Sequence, residues 1–238
     1  MDQSHIYAHH AEEYDALVSA EDCDGNLLPA IEAVAPLAGT AVLDVGAGTG
    51  RVTRLVAARA ARVVGVDRSP AMLAVARRRL EAMAPPAAWE LHCADARDLP
   101  VPDAWADVAV AGWAFGHFRL WMPEGWREEI GRALAEMERA LVPGGALVVI
   151  ETLGTGRAEP GPPSPALAEY YDWLESTQGM TRAAIRTDYL FADVEEAARV
   201  TGFFFGDDFG ARVLREGWKR VPEHTGIWSR RAKARRAS

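Results

Sequence analysis

From Thr40 onward, short β-branched apolar runs alternate with longer amphipathic stretches, which is how a parallel sheet with crossover helices is written. Residues 41–46 are expected as a first strand. Val52, Leu55 and Val56 then recur at helical spacing and predict a helix over 51–60. A second strand over 62–67 ends where Ser69 can cap and Pro70 can open a helix, whose buried stripe is Met72, Leu73, Ala76, Leu80 and Met83. Strands are expected over 88–93 and 106–112. Ile130, Leu134, Met137 and Leu141 mark the next helix, Pro143-Gly144-Gly145 is expected to stop it, and a fifth strand covers 146–152.

The flanks carry a weaker pattern. Residues 1–35 read as helices over the strand ends, with Tyr7, Tyr14, Leu17 and Leu28 as candidate contacts. The stretch 154–165 holds four prolines and three glycines, so it is expected as a surface loop leading to a helix over 166–175. Together 154–192 is expected to form a lid that sets selectivity. Strand character recurs at 185–191 and 226–228, and helical character at 194–200 and 211–218; which of these completes the sheet stays open at this stage. The fold class is α/β with a doubly wound, mostly parallel sheet. One domain is expected: a helical cover (1–35), a core (36–153), a lid (154–192), a C-terminal completion (193–229) and a basic tail (230–238) bearing Arg230, Arg231, Lys233, Arg235 and Arg236.

Composition narrows the function classes. At 238 residues, with 49% apolar and 25% charged residues, a single globular domain is the default. A formal charge of −8 disfavours nucleic acid as a partner, because polyanion binding draws on clustered Lys and Arg. Two cysteines, Cys23 and Cys93, and the lack of an apolar leader lead us to expect a reducing, cytoplasmic setting. No apolar run approaches the length of a membrane helix, so no membrane partner is expected. Histidines and cysteines show no metal-ligand spacing, and no metal is expected.

The segment Val42-Leu43-Asp44-Val45-Gly46-Ala47-Gly48-Thr49-Gly50 is a strand running into a turn that opens a helix. Glycines there let backbone approach a ligand at the carboxyl edge of the sheet. Asp67 ends the second strand, where a carboxylate can accept hydrogen bonds from ribose hydroxyls. A dinucleotide fingerprint wants glycine at its sixth loop position, which here is Arg51. Asp44 would bring negative charge towards a pyrophosphate but suits an ammonium group.

On these residues the core, about 34–153, resembles the class I S-adenosyl-L-methionine-dependent methyltransferases, whose first motif is a strand ending in acidic-x-Gly-x-Gly-x-Gly. The resemblance implies a Rossmann-like sheet of the seven-stranded type with S-adenosyl-L-methionine as cofactor and S-adenosyl-L-homocysteine as product. It also implies that Gly46, Ala47, Gly48 and Gly50 wrap the methionine moiety and that Asp44 lies near its amino group. Asp67 would hold the ribose, with Arg68 and Met72 beside it; Asp95 would accept from the adenine amino group next to the Ala96 amide. Ala111 and Gly112 would face the sulfonium, and Tyr14 would touch the cofactor from the cover.

Methyl transfer asks chiefly for alignment and exclusion of water. An acceptor protonated at neutral pH also needs a base. His117, just beyond the fourth strand, is the first candidate and Glu151, at the end of the fifth, the second. Trp113, Phe115, Phe118, Trp121 and Trp126 are candidates for an apolar acceptor pocket. Three functions are thus in play: methyl transfer to O, N or C of a small molecule, a non-catalytic cofactor-binding regulatory module, and, ranked lowest, a nicotinamide-dependent oxidoreductase.

Overall fold

In the computed structural model, which describes residues 9–232, the alternation resolves into a parallel run of strands with helices on both faces. Strands β1 (Ala41–Val45), β2 (Arg62–Asp67), β3 (Ala88–Cys93), β4 (Ala106–Gly112) and β5 (Leu141–Thr155) pair in parallel. Between them lie α3 (Arg51–Ala57), α4 (Pro70–Met83), α5 (Phe115–Trp121) and α6 (Trp126–Ala140). The chain continues through α7 (Pro165–Ser176), β6 (Thr181–Arg186), β7 (Tyr189–Leu190), α8 (Val194–Phe205), α9 (Asp207–Glu216), β8 (Arg220–Val221) and β9 (Glu223–Arg231). Among the described residues the main sheet has seven strands in the order β3-β2-β1-β4-β5-β9-β6, with β9 antiparallel to both neighbours.

Strand alternation decides which face each residue serves. Leu43, Val45, Ala109, Ala111, Leu147 and Val149 pack with Ile130, Leu134 and Met137 of α6 and Tyr170 and Leu174 of α7. Val42, Val108, Val110, Val148 and Ile150 pack on the other face with Val52 and Val56 of α3 and with Leu27 and Ile31. Strand order reverses direction between β1 and β4, and a crevice opens there at the carboxyl ends. As expected, Ser69 caps α4 by accepting from the Met72 amide, with Pro70 in the first turn.

The cover consists of α1 (Ala11–Ala20) and α2 (Leu27–Val34). Its α1 buries Ala11, Leu17 and Val18; Ala11 and Tyr14 cluster with Met72 and Val75, and Leu17 with Phe191 and Ala197. Ion pairs add to this apolar contact. Glu12 pairs with Arg78, the fully buried Asp15 with Arg79 at 2.5 Å and Arg54 at 3.6 Å, and Glu21 with Arg51 at 2.7 Å.

Several expectations are corrected. Pro143-Gly144-Gly145 does not end a helix: α6 stops at Ala140, and the three residues lie inside β5, whose pairing with β4 shifts register between Ala106 and Val108. Residues 115–121, for which no helix was expected, form α5. Within the stretch 154–192, β6 is an edge strand of the sheet and α7 packs into the core. Arg230 and Arg231 belong to β9, not to a loose tail: Arg230 pairs with Glu138 at 2.9 Å and Arg231 donates to the Val34 carbonyl. Tyr7, Lys233, Arg235 and Arg236 lie outside the described residues. Among the described residues, no helix is long and apolar enough to cross a membrane.

The last strand tolerates no bulk at Gly226, where a Cβ would stand 2.5 Å from the buried ring of Trp228 and 3.2 Å from Leu153. Trp228 cannot yield, because Tyr171 lies against it at 4.6 Å between centroids. Gly226→Ala is expected to cost about 1–3 kcal/mol, lowering Tm by roughly 2–4 °C per kcal/mol in scanning calorimetry.

Candidate active site

The turn after β1 is fastened to the end of β2. The amides of Gly46 and Ala47 both donate to the Val66 carbonyl, at 2.8 and 3.0 Å, and the Gly48 amide donates to Asp67 Oδ2 at 2.9 Å. Asp67 Oδ1 accepts from the Ser69 amide at 2.8 Å, so one carboxylate holds the turns after β1 and β2 together. Gly46 has φ +74°, and a Cβ on it would lie 2.6 Å from the Ala114 Cβ; the turns after β1 and β4 approach too closely for any side chain.

Around this turn lies a cavity of about 420 Å³. It brings together most of the expected cofactor residues: Tyr14, Asp44, Gly46, Ala47, Gly48, Asp67, Arg68, Met72, Asp95, Ala96 and Gly112. Two of them it does not include. Ala111 points to the opposite face, wholly buried beside Ala109 in the core under α6. Gly50 is absent from the wall; at φ +81° it caps α3 where a Cβ would press on Ala76 of α4 at 3.0 Å, so its role is helix packing. The wall also contains Thr49, Arg51 and Ser69, which were not assigned to it from sequence. Arg51 opens α3 directly after the last glycine of the motif, a position that faces the crevice, and that order was legible.

The carboxylates differ in their surroundings. Asp44 is 1% exposed; its Oδ2 accepts from the Thr53 hydroxyl at 2.5 Å, whereas Oδ1 has no hydrogen-bond partner. Burial pushes its pKa up to about 7, against the Thr53 hydrogen bond, and the charge of Asp67 adds to the rise. Burial raises Asp67 as well, while the Ser69 and Gly48 amides oppose it. Asp95 goes the other way: Arg97 donates to both of its oxygens at 2.6–2.7 Å and holds it below the usual carboxylate range.

Beyond β4 the wall is aromatic, with Trp113, Phe115, Phe118 and Trp121. Trp126 is not part of it and sits in the core against Tyr170 and Trp173. Trp113 holds φ +52°, a costly conformation for a bulky residue, with its amide bonded to the Ile150 carbonyl and the Arg51 guanidinium 3.7 Å from its ring centroid. His117, on α5, lines the cavity and stacks on Trp121 at 4.9 Å, while Arg68 lies 5.2 Å from the same indole. Burial, reinforced by the charge of Arg68, lowers His117 to about 4, so the imidazole is neutral at physiological pH.

Glu151 does not reach the crevice. It shares strand parity with Leu147 and Val149, is 3% exposed, and accepts from the Gly116 amide at 2.8 Å and the Tyr170 hydroxyl at 3.3 Å. It therefore anchors α5 to β5. Gly116 follows from this contact, since a Cβ there would stand 3.0 Å from Glu151 Oε2. Among the described residues, no group of three His, Cys, Asp or Glu could hold a metal ion.

Comparisons with known proteins converge on one description. The family described as methyltransferase domain matches residues 43–149. An O-methyltransferase cnsE of Penicillium expansum is 33% identical over 196 residues, covering 76% of this chain and 67% of that protein. The demethylmenaquinone methyltransferase of Symbiobacterium thermophilum is 39% identical over 116 residues, 48% of this chain and 43% of that protein. The chain spans about half the length of the demethylmenaquinone methyltransferases it matches, 43–52% in three of them. Among solved structures, a putative methyltransferase from Bacillus halodurans C-125 superposes with a TM-score of 0.57 at 17% identity, covering 88% of this chain and all of that one; this shows the shared fold.

The Glu151 anchor is testable through pH. Burial, first, raises its pKa from 4.5 to about 8, against the opposing hydrogen bonds from Gly116 and Tyr170. A carboxyl whose folded pKa is raised stabilises fully below its unfolded value and loses that contribution as pH climbs through the folded value. Wild-type stability should thus fall relative to Glu151→Gln by up to about 1.4 kcal/mol per pH unit across this window. Urea denaturation of both proteins over the window checks it, and a constant difference refutes the buried-acid assignment.

Proposed function

Since the chain belongs to the class I S-adenosyl-L-methionine-dependent methyltransferase family, whose cofactor is S-adenosyl-L-methionine, we propose that it moves a methyl group to O, N or C of a small-molecule acceptor in this cavity. The observation that carries the reading is Asp44. A carboxylate oxygen buried in the cavity wall with no hydrogen-bond partner fits an ammonium group and repels a phosphate. The wall residues Gly46, Ala47 and Gly48 would enclose the methionine moiety, with Asp67 at the ribose and Asp95 and Ala96 at the adenine. Asp67 keeps accepting capacity beyond its two backbone donors, because a carboxylate offers about four lone-pair sites.

When bound, the cofactor supplies a sulfonium-activated methyl with its leaving group already formed. What the chain adds is alignment and dryness. Trp113, Phe115 and Phe118 exclude water from the acceptor side, and Tyr14 closes the cavity from the cover. The His117 ring, neutral at physiological pH, is in the form able to accept a proton from an acceptor hydroxyl or amine. Its low pKa makes it a weak base, which suits acceptors that ionise easily. A small acceptor group is supported by the names of relatives, which are a demethylmenaquinone methyltransferase and a malonyl-[acyl-carrier protein] O-methyltransferase. The two free cysteines, Cys23 and Cys93, support a reducing, cytoplasmic setting.

Two measurements test the proposal. In calorimetry the protein should bind S-adenosylhomocysteine and give no saturable heat with NAD at millimolar concentration; release of homocysteine equivalents with an acceptor library then separates catalysis from mere binding. The second uses pH. With Asp44 near 7, affinity for S-adenosylhomocysteine should weaken as pH drops below that value, approaching about tenfold per unit. Asp44→Asn should bind weakly at every pH and lose this slope; an unchanged slope would remove Asp44 from the site.

A further inference from the structure

Resting on that reading, we propose that Glu151, though turned away from the crevice, is the positioning residue of the acceptor wall: with Tyr170 it fixes the first turn of α5 and so the setting of His117 and Trp121 in the cavity. Helix α5 has no fastening of its own. It is preceded by Ala114, which gives no side-chain cap, and its second residue is Gly116, a poor helix former. The amides of a first turn have no partners within the helix and must find acceptors elsewhere. Here Glu151 supplies them from β5. Its Oε1 accepts from the Gly116 amide at 2.8 Å, and the Phe115 amide also bonds to the carboxyl. Tyr170 of α7, wholly buried, donates to the same Oε1 at 3.3 Å. Taking a carboxyl out of water is unfavourable, and three donors converging on this one offset the cost only while α5 keeps its place.

The fit leaves α5 no slack. A Cβ on Gly116 would stand 3.0 Å from Glu151 Oε2 and 3.5 Å from Leu167 of α7, so the helix lies on the carboxyl with its bare backbone. The residue before Tyr170, Glu169, takes Arg119 of α5 at 2.7 Å and Arg127 of α6 at 2.6 Å. Helix α7 thus braces α5 from behind, which gives the stretch 154–192 its bearing on the acceptor side. The other face of α5 belongs to the cavity. His117 directly follows Gly116, lines the cavity with Phe118 and Trp121, and stacks on Trp121 one turn later at 4.9 Å. Burial, with the charge of Arg68 beside it, holds that imidazole at about 4. Methyl transfer asks the protein chiefly for alignment, and a displacement of about 1 Å in an aligning group can cost about a hundredfold in rate.

The test reads His117 itself and needs no acceptor. In proton NMR the His117 ring signal of the wild type, assigned by its loss in His117→Gln, should titrate near 4. Glu151→Leu keeps the bulk but accepts nothing, and the midpoint should rise by about one unit or more towards the ordinary 6.5 as the ring leaves its buried seat. Glu151→Gln still accepts from the Gly116 amide and should keep the wild-type midpoint. Calorimetry should find S-adenosylhomocysteine affinity within about threefold of wild type in both variants, because the turn after β1 is held by Val66 and Asp67. A role confined to stability would lower Tm in Glu151→Leu and leave the midpoint where it was. If Glu151→Leu does not fold, Glu151→Asp, one methylene short of the amides, reads the same shift. An unmoved midpoint, a wild-type midpoint near 6.5, a Glu151→Gln midpoint that moves as far as that of Glu151→Leu, or a larger loss of affinity overturns the proposal. Wild-type protein that binds no S-adenosylhomocysteine brings down the cofactor reading instead, while the His117 midpoints still decide the positioning.

Discussion

The site depends on a short seam of hydrogen bonds between the turn after β1 and the tip of β2. Two amides share the Val66 carbonyl and a third meets the Asp67 carboxylate, which fixes a turn that has neither helical nor sheet bonding of its own. Because the backbone donors are satisfied there, the turn can stay open towards the crevice without the cost of orphaned amides. The same carboxylate holds the start of α4 through the Ser69 amide, so loop, helix and ligand wall move as one body. The turn after β4 completes it by lying on Gly46, at a distance that only glycine permits.

Much of this was legible from residues alone, and the reason is local. Strands β2, β3 and β4 begin and end where the sequence predicts, because β-branched runs bounded by polar turns leave little choice of register. Asp44, Asp67 and Asp95 reach one cavity because each stands in or just beyond one of three parallel strands, β1 to β3, whose carboxyl ends share an edge. Side-chain parity decides the positions that depart from expectation. Ala111 and Glu151 stand near the ends of the strands expected from sequence, yet each lies on the face buried by α5, α6 and α7, in step with Ala109 and Val149. Gly50 belongs to the motif, but its freedom of backbone serves the contact with Ala76.

Other features had no local signal. Helix α5 is hidden by Gly116, a poor helix former that is required by a carboxylate thirty-five residues downstream. The left-handed backbone of Trp113 leaves no trace in composition, since a bulky residue is the last expected there. Completion of the sheet by β9 and β6 is a long-range decision, with β6 pairing only after α8 and α9 have been traversed. Arg51 was recognised from sequence only for what it excludes, a dinucleotide turn. Its partners, Glu21 on the cover and Trp113 beyond β4, come from distant parts of the chain.

The way the cover is fastened has an electrostatic consequence. Glu12, Asp15 and Glu21 tie helix α1 to arginines of α3 and α4; Asp15 and the Glu21–Arg51 pair are well shielded from water, and Leu17 and Val18 are buried beside them. Dissolved salt therefore screens the exposed Glu12–Arg78 pair while leaving the inner pairs largely untouched.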